Sequence, residues 1–257
     1  MPDNNHLSKV VVQDPWVSLR SYTEARIALG RTGVSIPLKE NLDFRLAHAY
    51  ARDAVYASLE LKNLVDGMES FKLPILQLQS QCANRSEYLQ RPDWGRKLND
   101  ISKDILQSMS GGVYDVAIVV ADGLSAVAIN EHLLPFLELL IPLLYKNKYS
   151  IAPLSIVQQA RVAIADEVGS LLNARLTLIL IGERPGLTSP NSMGAYITYN
   201  PQIGITDERR NCISNIRPEG LRYEVAVEKI IYLINQSINL KLSGVALKDN
   251  TIGIDNG

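Results

Sequence analysis

From residue 113 onward the chain alternates between short β-prone runs and longer helical stretches with one apolar face, and no other feature restricts its folding options as much. Residues 113–120, rich in Val and Ile, read as a strand, and a long apolar helix follows over 125–145. Residues 150–157 give a second strand. The next helix carries Ile164, Ala165, Val168, Leu171 and Leu172 along one side. Residues 176–181 make a third strand, 195–199 a further β-prone piece, and 223–240 a closing amphipathic helix. Strand, helix, strand, helix, strand in series predicts an α/β fold, a mostly parallel sheet with helices on both faces.

The preceding part reads differently, as helices and loops. Asp14-Pro15-Trp16 is a helix start, with Asp14 as N-cap and Pro15 at the first helical position. Gly30-Arg31-Thr32-Gly33 is a basic turn, and 42–61 an Ala-rich helix. After Arg91-Pro92-Asp93, residues Trp94, Leu98, Ile101, Ile105 and Met109 recur at helical spacing, with Asp93 as cap and Gly111-Gly112 as stop. The chain is thus expected to divide into a mainly helical N-terminal region, 1–110, and an α/β domain, 111–257.

The totals exclude several classes. A formal net charge of −1 argues against broad attraction to nucleic acid or anionic lipid. Two cysteines, Cys82 and Cys212, rule out a disulfide scaffold and suit a reducing compartment. The start Met1-Pro2-Asp3-Asn4-Asn5-His6 lacks the basic and apolar segments of a secretory signal. The longest apolar stretch, 133–145, is broken by Pro135, Glu138 and Pro142 and falls short of the ~20 residues a membrane helix needs. The expected setting is cytoplasmic, without membrane or nucleic-acid partners.

Chemistry concentrates at strand ends. Gly182-Glu183-Arg184-Pro185-Gly186-Leu187 closes the third strand and carries a carboxylate and a guanidinium, either facing a polar-rimmed ligand or solvated in a surface turn. Asp122-Gly123-Leu124-Ser125 closes the first, either as a ligand-binding turn or as a tight turn with Ser125 as N-cap. Arg161-Val162 precedes the second helix, where a Val is ordinarily core. Cys212 has only Arg209 and Arg210 nearby to lower its pKa, so a nucleophilic role has little support. His6, His48 and His132 have no paired ligand at turn or helical spacing, so no metal site is expected. Neither Gly-x-Gly-x-x-Gly nor a phosphate-binding Gly-x-x-x-x-Gly-Lys loop is present, which disfavours a dinucleotide or nucleotide-hydrolysing enzyme.

These segments together resemble the small subunit of ethanolamine ammonia-lyase, an adenosylcobalamin-dependent bacterial enzyme. The resemblance rests on Arg91-Pro92-Asp93, Asp122-Gly123-Leu124-Ser125, Arg161-Val162, the Gly182–Leu187 loop, Cys212-Ile213-Ser214-Asn215-Ile216 and Ser243-Gly244-Val245, and spans nearly the whole chain. It implies a Rossmann-like cofactor-contacting domain and a TIM-barrel large subunit that binds ethanolamine and houses the radical chemistry. Cobalamin would lie between the two, and acetaldehyde and ammonia would be the products. Carried over position by position, the resemblance implies cofactor contacts from Val162, Glu183 and Cys212 and no catalytic residue on this chain. Asp122, Ser125 and Arg184 are secondary candidates from the sheet argument. None of the three histidines lies in Asp-x-His-x-x-Gly, so the cofactor is expected to stay base-on, its cobalt held by its own dimethylbenzimidazole. The short stretch before Asp14 lacks the amphipathic extension that directs some members into a bacterial microcompartment, which leaves a free cytoplasmic enzyme as the expectation. Two readings of other classes stand beside this one: a non-catalytic assembly partner, and a stand-alone enzyme acting on a nucleotide-like ligand.

Overall fold

The run Tyr-Asp-Val-Ala-Ile-Val-Val-Ala forms strand β2 (Tyr114–Ala121), buried from Val116 onward, and the sheet is built around it. β-branched side chains suit a strand covered on both faces. The computed structural model describes residues 11–109 and 111–247. Of the stretch before Asp14 read for targeting, residues 1–10, with His6, lie outside them, as do residues 248–257 at the end of the 111–257 span.

In chain order the helices and strands are α1 (Leu38–Tyr56), α2 (Leu61–Met68), β1 (Ile75–Gln79), α3 (Arg85–Gln90), α4 (Asp100–Ser108), β2, α5 (Ala126–Lys146), β3 (Leu154–Gln158), α6 (Ile164–Leu171), β4 (Ala174–Gly182), β5 (Met193–Tyr199), β6 (Arg210–Ile216) and α7 (Tyr223–Leu240). They make a six-stranded sheet in the order β1-β3-β2-β4-β5-β6. The β1–β3, β3–β2 and β2–β4 pairs are parallel; β4–β5 and β5–β6 are antiparallel. The expected α/β class is therefore what the molecule adopts.

The period of two along each strand sorts the core into two layers. Val116, Ile118 and Val120 of β2 join Leu176, Leu178 and Leu180 of β4 in a core shared with α2, α5 and α7. Ala117, Val119 and Ala121, with Ile179 and Ile181, face the other core, under α4 and α6. From β2 the chain crosses to β3 on one side and returns to β4 on the other. The strand order therefore reverses around β2, the topology that opens a crevice at the carboxyl ends of the strands.

Helix α5 matches the helix expected over 125–145 to within a residue at each end and contains the apolar stretch 133–145. At 21 residues it is long and apolar enough to cross a membrane by length and composition. In this fold it is a core helix whose Phe136, Leu137, Leu140 and Leu144 are fully buried. Pro135 and Pro142 lie on its exposed side, as do Glu131 and Glu138, whose carbonyls lose the usual intrahelical bond to a proline.

Several local expectations change. Asp14-Pro15-Trp16 leads into a 3-10 turn, Val17–Tyr22, rather than an α-helix, with the Trp16 amide donating to the Asp14 carboxylate. Asp93 caps nothing, because its carboxylate is taken by Arg91; Asn99 caps α4 by accepting from the Ser102 amide. Strands β1 and β6 had no counterpart in the sequence reading. β1 comes from within residues 1–110 yet forms one edge of the sheet, paired along its length with β3. Its sequence is Ile, Leu, Gln, Leu, Gln, and Leu78 is its one buried residue.

Candidate functional site

The turn after β2 is fixed by two glycines in mutual contact. Gly123 has φ +56°, and a Cβ there would stand 2.1 Å from the Gly182 carbonyl oxygen. A Cβ on Gly182 would in turn stand 2.0 Å from the Ser125 carbonyl oxygen. The Leu124 amide donates to the Gly182 carbonyl at 3.0 Å, joining the ends of β2 and β4. Asp122 joins β2 to β3: its buried carboxylate accepts from the Gln159 and Ala160 amides at 2.9 and 3.1 Å, with Arg85 at 3.7 Å. Burial raises the Asp122 pKa, against the pull of those amides and of Arg85.

Around these joined ends lies an open hollow of about 720 Å³. Arg161 and Val162 come from the turn after β3, Glu183 and Arg184 from the loop after β4, and Asn215 and Arg217 from the end of β6. A second hollow of about 360 Å³ shares Arg161, Val162 and Tyr196 with the first and adds Cys212. Val162 lines both hollows, Glu183 the larger and Cys212 the smaller, so the three lie on two adjoining hollows. These lie where an α/β sheet of this order places a ligand.

Each of the three has a defined setting. Val162 is half-buried and packs against the core under α6. Glu183 is anchored through Oε2, which accepts from the Ser192 hydroxyl at 2.7 Å and the Asn215 amide at 3.0 Å. Its Oε1 lies 3.0 Å from where a Cβ on Gly194 would stand, so that glycine makes room for the carboxylate. Cys212 is exposed on β6, opposite Tyr196 of β5. Its thiol pKa is pushed up, chiefly by desolvation and further by the Glu183 charge, with a Tyr196 hydrogen bond opposing. A thiol held above its ordinary pKa is neutral near pH 7 and poorly nucleophilic.

The secondary candidates divide. Arg184 is exposed and lines the larger hollow. Asp122 and Ser125 do not reach it: Asp122 is spent on the β3 amides, and Ser125 is fully buried with its hydroxyl donating to the Pro190 carbonyl at 2.8 Å. Ser125 occupies the N-cap position of α5 without a side-chain capping bond. His132, buried in α5, shares a hydrogen bond of 2.7 Å with the Tyr223 hydroxyl, and His48 lies on α1.

Among the lining residues that the sequence did not single out are Tyr88, Tyr196, Asn215 and Arg217. Asn215 stood inside the quoted Cys212–Ile216 motif, and Arg161 beside Val162. Tyr88 and Arg217 carried no signal of their own, because long-range folding alone brings them to the strand ends.

An α/β protein with a concave, arginine-rimmed surface at its strand ends is, by class, a candidate ligand-binding subunit. Comparison with known proteins makes the assignment specific. The family model for "Ethanolamine ammonia-lyase light chain (EutC)" matches residues 13–248. The ethanolamine ammonia-lyase small subunit of Azotobacter vinelandii is 52% identical over 240 residues, covering 92% of this chain and 89% of the relative. That of Pseudomonas paraeruginosa is 49% identical over 250 residues, covering 96% and 92%. That of Pseudomonas putida is 52% identical over 240 residues, covering 92% and 88%. The chain belongs to the ethanolamine ammonia-lyase light-chain family, and so is a lyase subunit.

Proposed function

We propose that this chain is the small subunit of an adenosylcobalamin-dependent ethanolamine ammonia-lyase and forms one wall of the cofactor site. A TIM-barrel large subunit supplies the opposing wall, the ethanolamine pocket and the catalytic groups. The observation that carries this reading is the gathering of Val162, Glu183 and Cys212 around two adjoining hollows. When bound, adenosylcobalamin supplies radical initiation by homolysis of its cobalt–carbon bond.

The residues present fit such a group. A corrin has broad apolar faces and a rim of amide side chains, so its cradle needs apolar contact beside both acceptors and donors. Val162 offers the apolar patch. Glu183 presents Oε1 as an acceptor while Ser192 and Asn215 hold the rest of the carboxylate still. Arg161 adds a guanidinium that lines both hollows. Cys212 gives a small, neutral contact and no metal ligand. This chain therefore binds and orients, and neither Val162 nor Cys212 transfers a proton.

The partner reading has its own physical support. Helix α1 buries only Ala54 among its 19 residues, and Trp16, Tyr22, Leu38 and Tyr56 are each more than half exposed. So much unpartnered apolar surface marks an association face. The segment touches the hollow at two points: Glu24 lies 3.9 Å from Arg217, and Arg85 Nε donates to the Val55 carbonyl at 2.6 Å while Nη1 donates to that of Gly123. A large subunit that covers this arm would also close the cofactor surface.

Titration of the assembled complex with cobalamin, followed by visible absorbance, tests the proposal. Glu183→Ala should weaken binding by roughly 1–3 kcal/mol, the range for leaving a hydrogen-bonding partner unsatisfied. An unchanged affinity counts against the assignment. The base-on expectation has a separate test, spin resonance of the loaded enzyme with ¹⁵N-labelled histidine; coupling of cobalt to a protein nitrogen would refute it. The cytoplasm is the proposed setting.

A further inference from the structure

We infer that Arg161 is an anion-recognition residue that takes the phosphodiester of the cofactor's nucleotide loop. This rests on the cobalamin reading above and deepens it by assigning a second chemistry to the same surface.

Arg161 is held with more precision than a solvated side chain requires. Its amide donates to the Gly95 carbonyl at 2.7 Å, and Nη2 donates to the Tyr88 carbonyl at 3.2 Å. Its guanidinium carbon stands 4.1 Å from the Tyr88 ring centroid, and that of Arg85 stands 4.6 Å from the same ring. A Cβ on Gly95 would come within 2.9 Å of Arg161 Cγ, so the glycine admits the arginine stem. Gly95 belongs to the Arg91–Arg96 segment, which the cofactor contacts inferred from the resemblance leave without a role.

The positioned guanidinium is incompletely satisfied. Arg161 Nε and Arg85 Nη2 are both buried without a hydrogen-bond partner among the described residues. A buried unpaired donor costs about 1–3 kcal/mol, more when charged, and both atoms are sealed from the hollow, so a bound acceptor meets them only if the side chain shifts toward it. Arg85 already has Asp122 at 3.7 Å, but no carboxylate pairs with Arg161 among the described residues.

The surroundings favour an anion over a neutral amide. Arg161 lines both hollows, and Arg184 and Arg217 line the larger one with it. Glu183 is the only carboxylate lining that hollow among the described residues, and it already accepts two hydrogen bonds from the protein. The Arg217 side chain is 10% exposed and is already paired, with Glu219 at 3.7 Å and Glu24 at 3.9 Å, which leaves Arg161 and Arg184 as the charges that favour an anion. A planar guanidinium without a carboxylate partner suits a phosphate oxygen better than a point charge does. Cobalamin carries one anionic group of this kind, the phosphodiester that links its corrin side chain to the dimethylbenzimidazole ribose.

The test uses the complex with the large subunit and two unreactive probes. Cyanocobalamin carries the phosphodiester; the cyano form of cobinamide lacks the nucleotide loop. Arg161→Gln should lower cyanocobalamin affinity roughly 10- to 100-fold and leave cobinamide affinity unchanged, with Arg161→Lys between. The ³¹P resonance of bound cyanocobalamin should shift between wild type and Arg161→Gln, a readout independent of activity and of cobinamide binding. Equal losses for the two probes, or no loss with an unmoved ³¹P resonance, would overturn the inference and leave the cofactor reading standing. A wild-type complex that binds no cyanocobalamin would overturn both.

Discussion

Two glycines determine how closely the candidate site's walls approach each other. Gly182 and Gly123 meet backbone to backbone, and neither tolerates a Cβ: the nearest atoms would be carbonyl oxygens at 2.0 and 2.1 Å. Backbone cannot swing away as a flexible side chain can. Gly182→Ala is therefore expected to destabilise the chain by about 3 kcal/mol, at the upper end for overpacking, and to spread the ends of β2 and β4. Urea unfolding measures the first effect; a wild-type midpoint would contradict the close approach. Glu183 belongs to the same scale. Ser192→Ala removes one of its two anchors and is predicted to weaken cobalamin binding by about 1 kcal/mol, with little change in stability, as titration and thermal melting of the same sample would reveal. The glycines were visible in the sequence as punctuation at strand ends. What lay hidden was that the two turns press on each other, a contact across 59 positions (182 − 123).

At the scale of elements, a clasp at each end of β2 ties it to its neighbours. Asp122 at the carboxyl end binds the β3 side, as described. Near the amino end, Asp115 accepts from the amide and hydroxyl of Ser150, each at 2.9 Å, and from Arg175 of β4, also at 2.9 Å. Desolvation pushes the Asp115 pKa up, but the Ser150 bonds and Arg175 outweigh it and leave it below the ordinary carboxylate value. A depressed carboxyl contributes stability above its unfolded-state pKa and loses it as pH falls through the folded-state value. Asp115→Asn should thus cost stability at pH 7 and progressively less toward strongly acid pH, where the wild-type carboxyl is protonated too. Urea midpoints across pH test this, and a pH-independent difference would contradict it. The elements most legible in the sequence were those with long single-period patterns: β2, β4 and α7, whose bounds of 223–240 match the structure. The strands that escaped were the two edges. β1 carries two glutamines in five residues because an edge strand has one wet side, and β6 begins with Arg210, whose charge reads as loop until its buried pairing with Asp166 is seen.

For the whole molecule, the N-terminal arm and the hollow make a joint prediction. A chain whose helix α1 buries one residue in 19 should associate through that surface. Deleting residues 11–56 is expected to abolish co-purification with the large subunit while the sheet still folds, with far-UV circular dichroism as the control. Retained co-purification would assign the partner contact elsewhere. Val162, Glu183 and Cys212 were named from a family resemblance, and the fold places them around two adjoining hollows. Their neighbours were not, because Tyr88, Tyr196 and Arg217 acquire their role only through the order of strands in the sheet. The most direct measurement is a structure of the assembled lyase with cobalamin bound. The corrin and its side chains should lie in contact with Val162, Glu183 and Cys212, at the carboxyl ends of β3 and β4 and beside the middle of β6. A corrin seated entirely within the large subunit, beyond contact distance of all three residues, would contradict the proposed function.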